Sequence, residues 1–303
     1  MATKLPEFSY TGTYKTEMKN GCWYIFFLTG GTLTMTYAKT AEVYLHGGGG
    51  GGGASGWNAS GGSGGGGGWF ATHTGVPVEA GKAYSIVVGG GGRSSIYEDG
   101  GNGLGSGFNG GPSSAFGYSV DGGKGGYKMG DGGAGGSGNG GMRGSSTGDY
   151  GGPGGSNTTY AFNDPDCGLI YGGGGGGGAP RYGGYGAGGK PYGGQDNQPA
   201  AANTGAGGAG ANYEDSELGR SGSYGGSGIV ILRSTQDDQI PVVYDGTRLT
   251  QMHFNGTQLT GLVYNGVRLF IKRLTERLAS GIQERRKEGK KRHGSIVYGT
   301  GGA

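Results

Sequence analysis

The sequence predicts a mainly β fold built around a glycine-rich bundle of polyproline-II helices, followed by C-terminal β-hairpin repeats and a short amphipathic helix. Three observations carry that expectation. Glycine supplies 85 of the 303 residues, about four times its ordinary share. Residues 47–228 hold 71 of them, including the pure runs Gly47–Gly53, Gly64–Gly68, Gly89–Gly92 and Gly172–Gly178. Each long run is entered from, or closely followed by, an aromatic or β-branched segment. With 32% hydrophobic and 15% charged residues, a conventional apolar core cannot underlie the whole chain. Nine prolines and no sustained Gly-X-Y register exclude collagen.

Residues 1–46 read as strands that pack on the glycine-rich region. Cys22–Leu28 (CWYIFFL) is an aromatic and β-branched run, Gly30-Gly31 a two-residue hairpin signal, and Thr32–Tyr37 (TLTMTY) alternates with strand period two. Glu42–His46 (EVYLH) is a third strand that feeds directly into Gly47–Gly53.

Residues 47–233 form the glycine-rich domain. Within it, Val76–Val88 (VPVEAGKAYSIVV) reads as a strand pair, and Gly228–Arg233 (GIVILR) as a closing strand of buried type. A flexible-linker reading does not account for Trp57, Trp69, Phe70, Tyr84 and Tyr171, which punctuate the glycines. A polyproline-II helix has three residues per turn, rises about 3.1 Å per residue and makes no internal hydrogen bonds. Buried in a bundle, it must pair its N–H and C=O groups with neighbours. Only glycine lets backbones come that close. A pure glycine run therefore suits the centre of a bundle, and a GG-X run its edge.

Residues 234–270 repeat with a period of about ten: VVYDGTRLTQ, MHFNGTQLTG and LVYNGVRLF. The copies align Tyr244, Phe254 and Tyr264, then an Asp-Gly or Asn-Gly pair, then Leu249, Leu259 and Leu269. Asp-Gly and Asn-Gly favour type I′ turns, so each copy reads as a hairpin. In residues 271–303, Ile271, Leu274, Leu278 and Ile282 follow 3-4-4 spacing, the narrow apolar stripe of a basic amphipathic helix. Isolated hairpins are marginal in water. These two apolar sets are therefore the candidate oligomerisation residues, a homo-oligomer being expected and a trimer the first guess.

The ordered landmarks EVYLHGGGGGGG, SIVVGGGG, PSSAFG, YGGGGGGG and GGSGIVILR resemble the glycine-rich domain of tailed-phage and prophage tail proteins over residues 10–233. The layout is also similar to the glycine-rich module of the anaplastic lymphoma kinase ectodomain and to the polyglycine-II adhesins of T-even phage long tail fibre tips. The resemblance implies a virion protein assembled in the host cytoplasm, most simply a tail-fibre tip adhesin. Its partners would be a bacterial surface polysaccharide or protein receptor and other virion proteins. A head fibre or capsid decoration protein is the alternative within that class. An ice-binding or receptor-type glycine-rich module is the alternative outside it.

The chemistry-bearing motifs are sparse. No Ser/His/Asp grouping, paired-carboxylate spacing, P-loop or zinc spacing occurs, so neither an enzyme nor a cofactor or metal site is expected. Asn163-Asp164-Pro165-Asp166 reads as an Asx-type turn before a cation site. No run is apolar enough to insert in a membrane, and Met1–Tyr10 has no apolar signal region. The basic run Arg285–Arg292 reads as a solvated tail, with nucleic-acid contact behind it. Tyr and Trp give large, rigid contact area at low entropy cost. Trp57, Trp69, Phe70, Tyr182, Tyr185 and Tyr192 are accordingly the candidate receptor-binding residues, placed in loops on the glycine scaffold.

Overall fold

The computed structural model describes residues 5–36, 38–55, 61–95, 105–127, 131–143, 151–178, 188–194, 198–212 and 221–234 in full. It describes the backbone alone at 242–244, 247–249, 253–254, 257–258, 261–264 and 267–271. The chain divides into two units, residues 5–235 and residues 236–303 with 1–4. The described residues are mainly β-sheet. The helical content among them is two short 3-10 turns, Ala161–Asn163 and Pro165–Cys167.

The first unit is organised by two antiparallel sheets. The larger joins β2 (Tyr14–Lys19), β3 (Cys22–Phe27), β10 (Ile229–Ser234), β5 (Lys39–His46) and β6 (Phe70–Val78) in that order. The smaller joins β1 (Phe8–Tyr10), β4 (Gly31–Met35) and β7 (Ala83–Ile86). A hairpin of β8 (Ser113–Ala115) and β9 (Tyr118–Val120) bridges to Val87 through Ser114. Its turn is made by Phe116 and Gly117, both with positive φ.

Continuous apolar runs become the two strands that are covered on both faces. In β3, Trp23, Ile25 and Phe27 join Leu33, Met35, Val43, Leu45, Val230 and Leu232 between the sheets. Cys22, Tyr24 and Phe26 point the other way, against Ala161, Phe162, Cys167 and Tyr171 of the segment 157–171. That segment is tied down by Lys19, whose Nζ donates to the Cys167 carbonyl at 2.7 Å, and by Asn20, whose Nδ2 donates to the Asp166 carbonyl at 2.9 Å. Each large apolar side chain buried in this way contributes roughly 1.5–3 kcal/mol.

Two expectations about pairing are corrected. Gly30-Gly31 does not close a hairpin between Cys22–Phe27 and Gly31–Met35, because those strands lie in different sheets. The turn carries the chain from one sheet to the other. Glycine is needed there by crowding: a Cβ on Gly31 would meet the Gly12 nitrogen at 2.7 Å. The hairpin turn is instead Asn20-Gly21, with φ of 52° and 76°, which joins β2 to β3 in the type I′ manner. Likewise Val76–Val88 is not a strand pair. Its first half ends β6 and pairs with β5, while its second half is β7 and pairs with β4.

The glycine runs leave the sheets as direct continuations of strands. Gly47–Gly53 follows β5, Gly64–Gly68 precedes β6, and Gly225–Gly228 precedes β10 with Ser227 among them. Hydrogen bonding around Gly47–Gly53 has a period of three. Gly47, Gly50 and Gly53 donate to the carbonyls of Trp69, Gly66 and Ser63. Gly48, Gly51 and Ala54 donate to Gly111, Phe108 and Gly105, while Gly49 and Gly52 donate to Gly226 and Ser223. The carbonyls of Gly48 and Gly51 accept from Gly123 and Gly126, those of Gly49 and Gly52 from Gly92 and Ser95, and those of Gly50 and Gly53 from Gly208 and Ala211. One segment is thus hydrogen-bonded to six neighbours, which satisfies its buried polar backbone. A Cβ at any residue from Gly47 to Gly53 would lie under 3.0 Å from a neighbouring backbone carbonyl.

Burial follows the same period at the border. In 121–127 (DGGKGGY), Asp121, Lys124 and Tyr127 are exposed and the four glycines between them are buried. The segment 205–211 (GAGGAGA) departs from the idea that a non-glycine third residue marks an edge. All seven residues are buried, with Ala206, Ala209 and Ala211 fully so. A methyl group still fits between backbones here.

In the second unit the backbone forms three antiparallel strand pairs. These are β11 (Val242–Tyr244) with β12 (Thr247–Leu249), β13 (His253–Phe254) with β14 (Thr257–Gln258), and β15 (Gly261–Tyr264) with β16 (Val267–Ile271). The residues 272–303, where the amphipathic helix is expected, lie outside the described residues.

Candidate functional site

The glycine array has two ends of different character. At one end the segments run into the sheets. At the other, Ala54 donates to Gly105, Ser95 to Gly52, Ser63 to Tyr127, Gly62 to Ala211, Gly178 to Gly62 and Gly152 to Met142. The residues on both sides of 56–60, 96–104, 128–130, 144–150 and 213–220, and Gly178 at the start of 179–187, therefore gather at the end opposite the sheets. Those six stretches hold Trp57, Tyr182 and Tyr185.

The candidate receptor-binding residues divide between the two ends. Trp57, Tyr182 and Tyr185 lie outside the described residues, in stretches bracketed at the far end. Trp69, Phe70 and Tyr192 lie at the sheet end, so Trp57–Phe70 is not one aromatic loop. Trp69 donates its backbone N–H to the Asp121 carbonyl and is 49% exposed. Phe70 is half-buried, packing on the Tyr44 and His46 rings. Tyr192 is 43% exposed, its N–H donating to the Gly172 carbonyl and its ring 6.5 Å from that of Tyr171.

Of the oligomerisation candidates, Tyr244, Leu249, Phe254, Tyr264, Leu269 and Ile271 fall in the strand pairs of the second unit. Leu259, Leu274, Leu278 and Ile282 lie outside the described residues. Tyr244 stands opposite Thr247, Phe254 opposite Thr257, and Tyr264 opposite Val267, so each aromatic is the last paired residue of its strand.

Sequence reasoning missed the polar structure under the larger sheet. Arg233 is buried on β10. It pairs with Glu42 at 2.6 Å and Asp164 at 2.5 Å, reaches the Tyr24 hydroxyl at 3.4 Å, and lies 4.2 Å from the Phe162 ring centroid. Burial alone would lower its pKa, but the hydrogen bonds to Tyr24 and Asp164 and the Glu42 carboxylate outweigh it and raise it. Asp164 also accepts from the Asp166 N–H, the expected Asx turn. A basic residue closing an apolar strand, GIVILR, was the available signal.

His46 sits where β5 becomes Gly47–Gly53. It is fully buried, and its Nδ1 lies 2.9 Å from the Gly47 carbonyl, so Nδ1–H donates. Burial pushes the imidazole down to about 4, against the opposing effect of that hydrogen bond. Its Nε2 has no hydrogen-bond partner among the described residues. Among those residues, no group of three or more His, Cys, Asp or Glu could hold a metal ion, and no helix is long and apolar enough to cross a membrane.

A β unit prolonged into a hydrogen-bonded glycine array, with exposed aromatics at its borders, defines a glycine-rich structural module. The chain belongs to the glycine-rich domain family, whose model matches residues 28–235. No curated protein sequence matches it.

Proposed function

We propose that this chain is a virion protein of a tailed phage, a receptor-binding tip protein of a tail fibre. In this reading the glycine segments are polyproline-II helices packed side by side as a rigid head. One observation carries it. Residues flanking six connections, five of them on both sides, meet at the array end remote from the sheets, so the fold gathers these loops on one hydrogen-bonded support. Trp57, Tyr182 and Tyr185 belong to those connections and would contact a polysaccharide or protein of the bacterial surface. The hairpins and basic helix of residues 234–303 would join copies to one another, or the protein to the rest of the virion.

The test is adsorption of fluorescently labelled protein to a panel of bacterial strains. Replacing Trp57, Tyr182 and Tyr185 together with Ala is expected to reduce binding to a recognised strain at least tenfold with the melting temperature unchanged. Binding that survives the triple substitution removes the far-end contact residues from the reading, and no adsorption to any strain removes the adhesin reading itself. Solution mass of the full chain against a truncation after Arg233 separates self-association from docking onto another protein.

A further inference from the structure

The sheet end of the array carries a second aromatic feature, on its flank and away from the far-end connections. Trp69 immediately precedes β6 and lies against Gly136. A Cβ on Gly136 would meet the Trp69 Cδ2 at 2.7 Å, so the missing side chain is what lets the indole lie down on backbone. The indole is nonetheless 49% exposed. It is a ring backed by a rigid segment on one side and open to water on the other.

Along β6, His73 stacks on Tyr118 of β9 with centroids 3.7 Å apart and planes 13° from parallel, and Tyr118 is 38% exposed. The Trp69 N–H···Asp121 bond and the His73–Tyr118 stack bring the segment 118–121 to Trp69 at one point and to His73 at another. Trp69 and His73 are four residues apart along the chain, so their Cα atoms are roughly 13 Å apart. Between and beside them are Ser119, Asp121 and Thr74, all exposed, and the half-buried Ala71 and Thr72.

We propose that Trp69, Asp121 and Tyr118 form an oligosaccharide-binding surface. Each exposed ring offers an apolar face with a polar edge, the match for a sugar ring's C–H face. The Asp121 carboxylate beside Trp69 supplies acceptors for sugar hydroxyls. The polar groups interrupt the rings, so the surface is not a continuous apolar patch of the kind that seats a protein. A nucleic acid would bring phosphates beside the Asp121 carboxylate, with Lys124 the one cation on the ridge 121–127. Rings carried at chain positions four residues apart suit a chain of sugars over a single one. The inference rests on the adhesin reading only for where the saccharide comes from.

The experiment is full-length protein on a printed array of bacterial O-antigen, capsular and peptidoglycan oligosaccharides, followed by calorimetric titration of the best-bound oligosaccharide. The expected result is binding that falls at least tenfold in Trp69→Ala and several-fold in Tyr118→Ala and Asp121→Asn, with melting temperatures unchanged. Trp69→Phe should recover part of the loss, since it restores a ring. Absence of binding to every oligosaccharide, or equal affinity in Trp69→Ala, overturns the proposal, as does preference for a single-stranded oligonucleotide over all sugars. The cell-adsorption test is separate. Trp69-dependent sugar binding without adsorption to cells leaves this site standing and removes the adhesin reading. Adsorption lost in the far-end triple variant, with no Trp69-dependent sugar binding, does the reverse.

Discussion

The two halves of residues 5–235 bury opposite things. Between the sheets, side chains meet side chains: Trp23, Ile25 and Phe27 of β3 pack on Leu33, Met35, Val43 and Leu45. In the array, backbone meets backbone, and a side chain at Gly47–Gly53 would collide with a carbonyl. The first arrangement draws on apolar area removed from water. The second has almost none to remove. It must offset the backbone entropy of ordering glycine, about 1–2 kcal/mol per residue, with hydrogen bonds whose net worth is about 1 kcal/mol each. Such a balance is close to even, and the strands that clamp the segment ends tip it. The array is therefore intolerant of added atoms, whereas the sheet core is intolerant of removed ones.

The largest expected effect comes from adding atoms. Gly50→Leu would drive a side chain into the Lys124 carbonyl, and Gly175→Leu into that of Gly208. The first also disturbs the bonds Gly50 to Gly66 and Gly208 to Gly50, the second those of Gly175 to Gly65 and Gly141 to Gly175. Overpacking plus broken hydrogen bonds should cost on the order of 5 kcal/mol, enough to remove the folded state. Thermal melting and limited proteolysis of residues 47–228 check it, and melting curves matching the parent protein's would mean the array is not close-packed.

A middle effect tests the seam between the two halves. The folded pKa of His46, about 4, lies below the ordinary 6.5. Its contribution to stability is therefore complete above pH 6.5 and is lost as pH falls towards 4, by on the order of 3 kcal/mol. Protonation would add a charge and an N–H at Nε2 with no acceptor among the described residues. Denaturant titrations across pH 7 to 4 should show that loss, and His46→Gln, which does not titrate, should flatten the slope. An identical slope in the variant would assign the acid sensitivity elsewhere.

The smallest effect is the sharpest. Gly89, Gly90, Gly91 and Gly92 are consecutive, yet a Cβ would strike a carbonyl at Gly89, Gly91 and Gly92 and nothing within 4 Å at Gly90. Gly90→Ala should be neutral or stabilise by up to about 1 kcal/mol, because it restricts the unfolded chain. Gly91→Ala should destabilise clearly. Equal melting temperatures for the two variants would break the rule that every third position is open at a border.

Much of this was legible in the residues. CWYIFFL and GIVILR, apolar at successive positions, had to be covered on both faces, and they are the neighbouring strands β3 and β10. The expectation that a GG-X run suits an edge holds in DGGKGGY, where Asp121, Lys124 and Tyr127 are exposed. The Asn20-Gly21 turn was equally legible, since Asn-Gly is the dipeptide that reads as a turn in the C-terminal copies. Pairing partners were not. Gly30-Gly31 looked local and is a crossing between sheets, and Val76–Val88 looked like one hairpin and serves two sheets. Nor could spacing show that Trp69 lies at the opposite end of its glycine segment from the residues bracketing Trp57. A sequence by itself determines where side chains are absent or apolar, because that is composition and local geometry. Which backbone occupies the vacated space is decided by hydrogen bonds between residues far apart in the chain, such as Gly49 to Gly226, and glycine leaves no side chain to announce its partner.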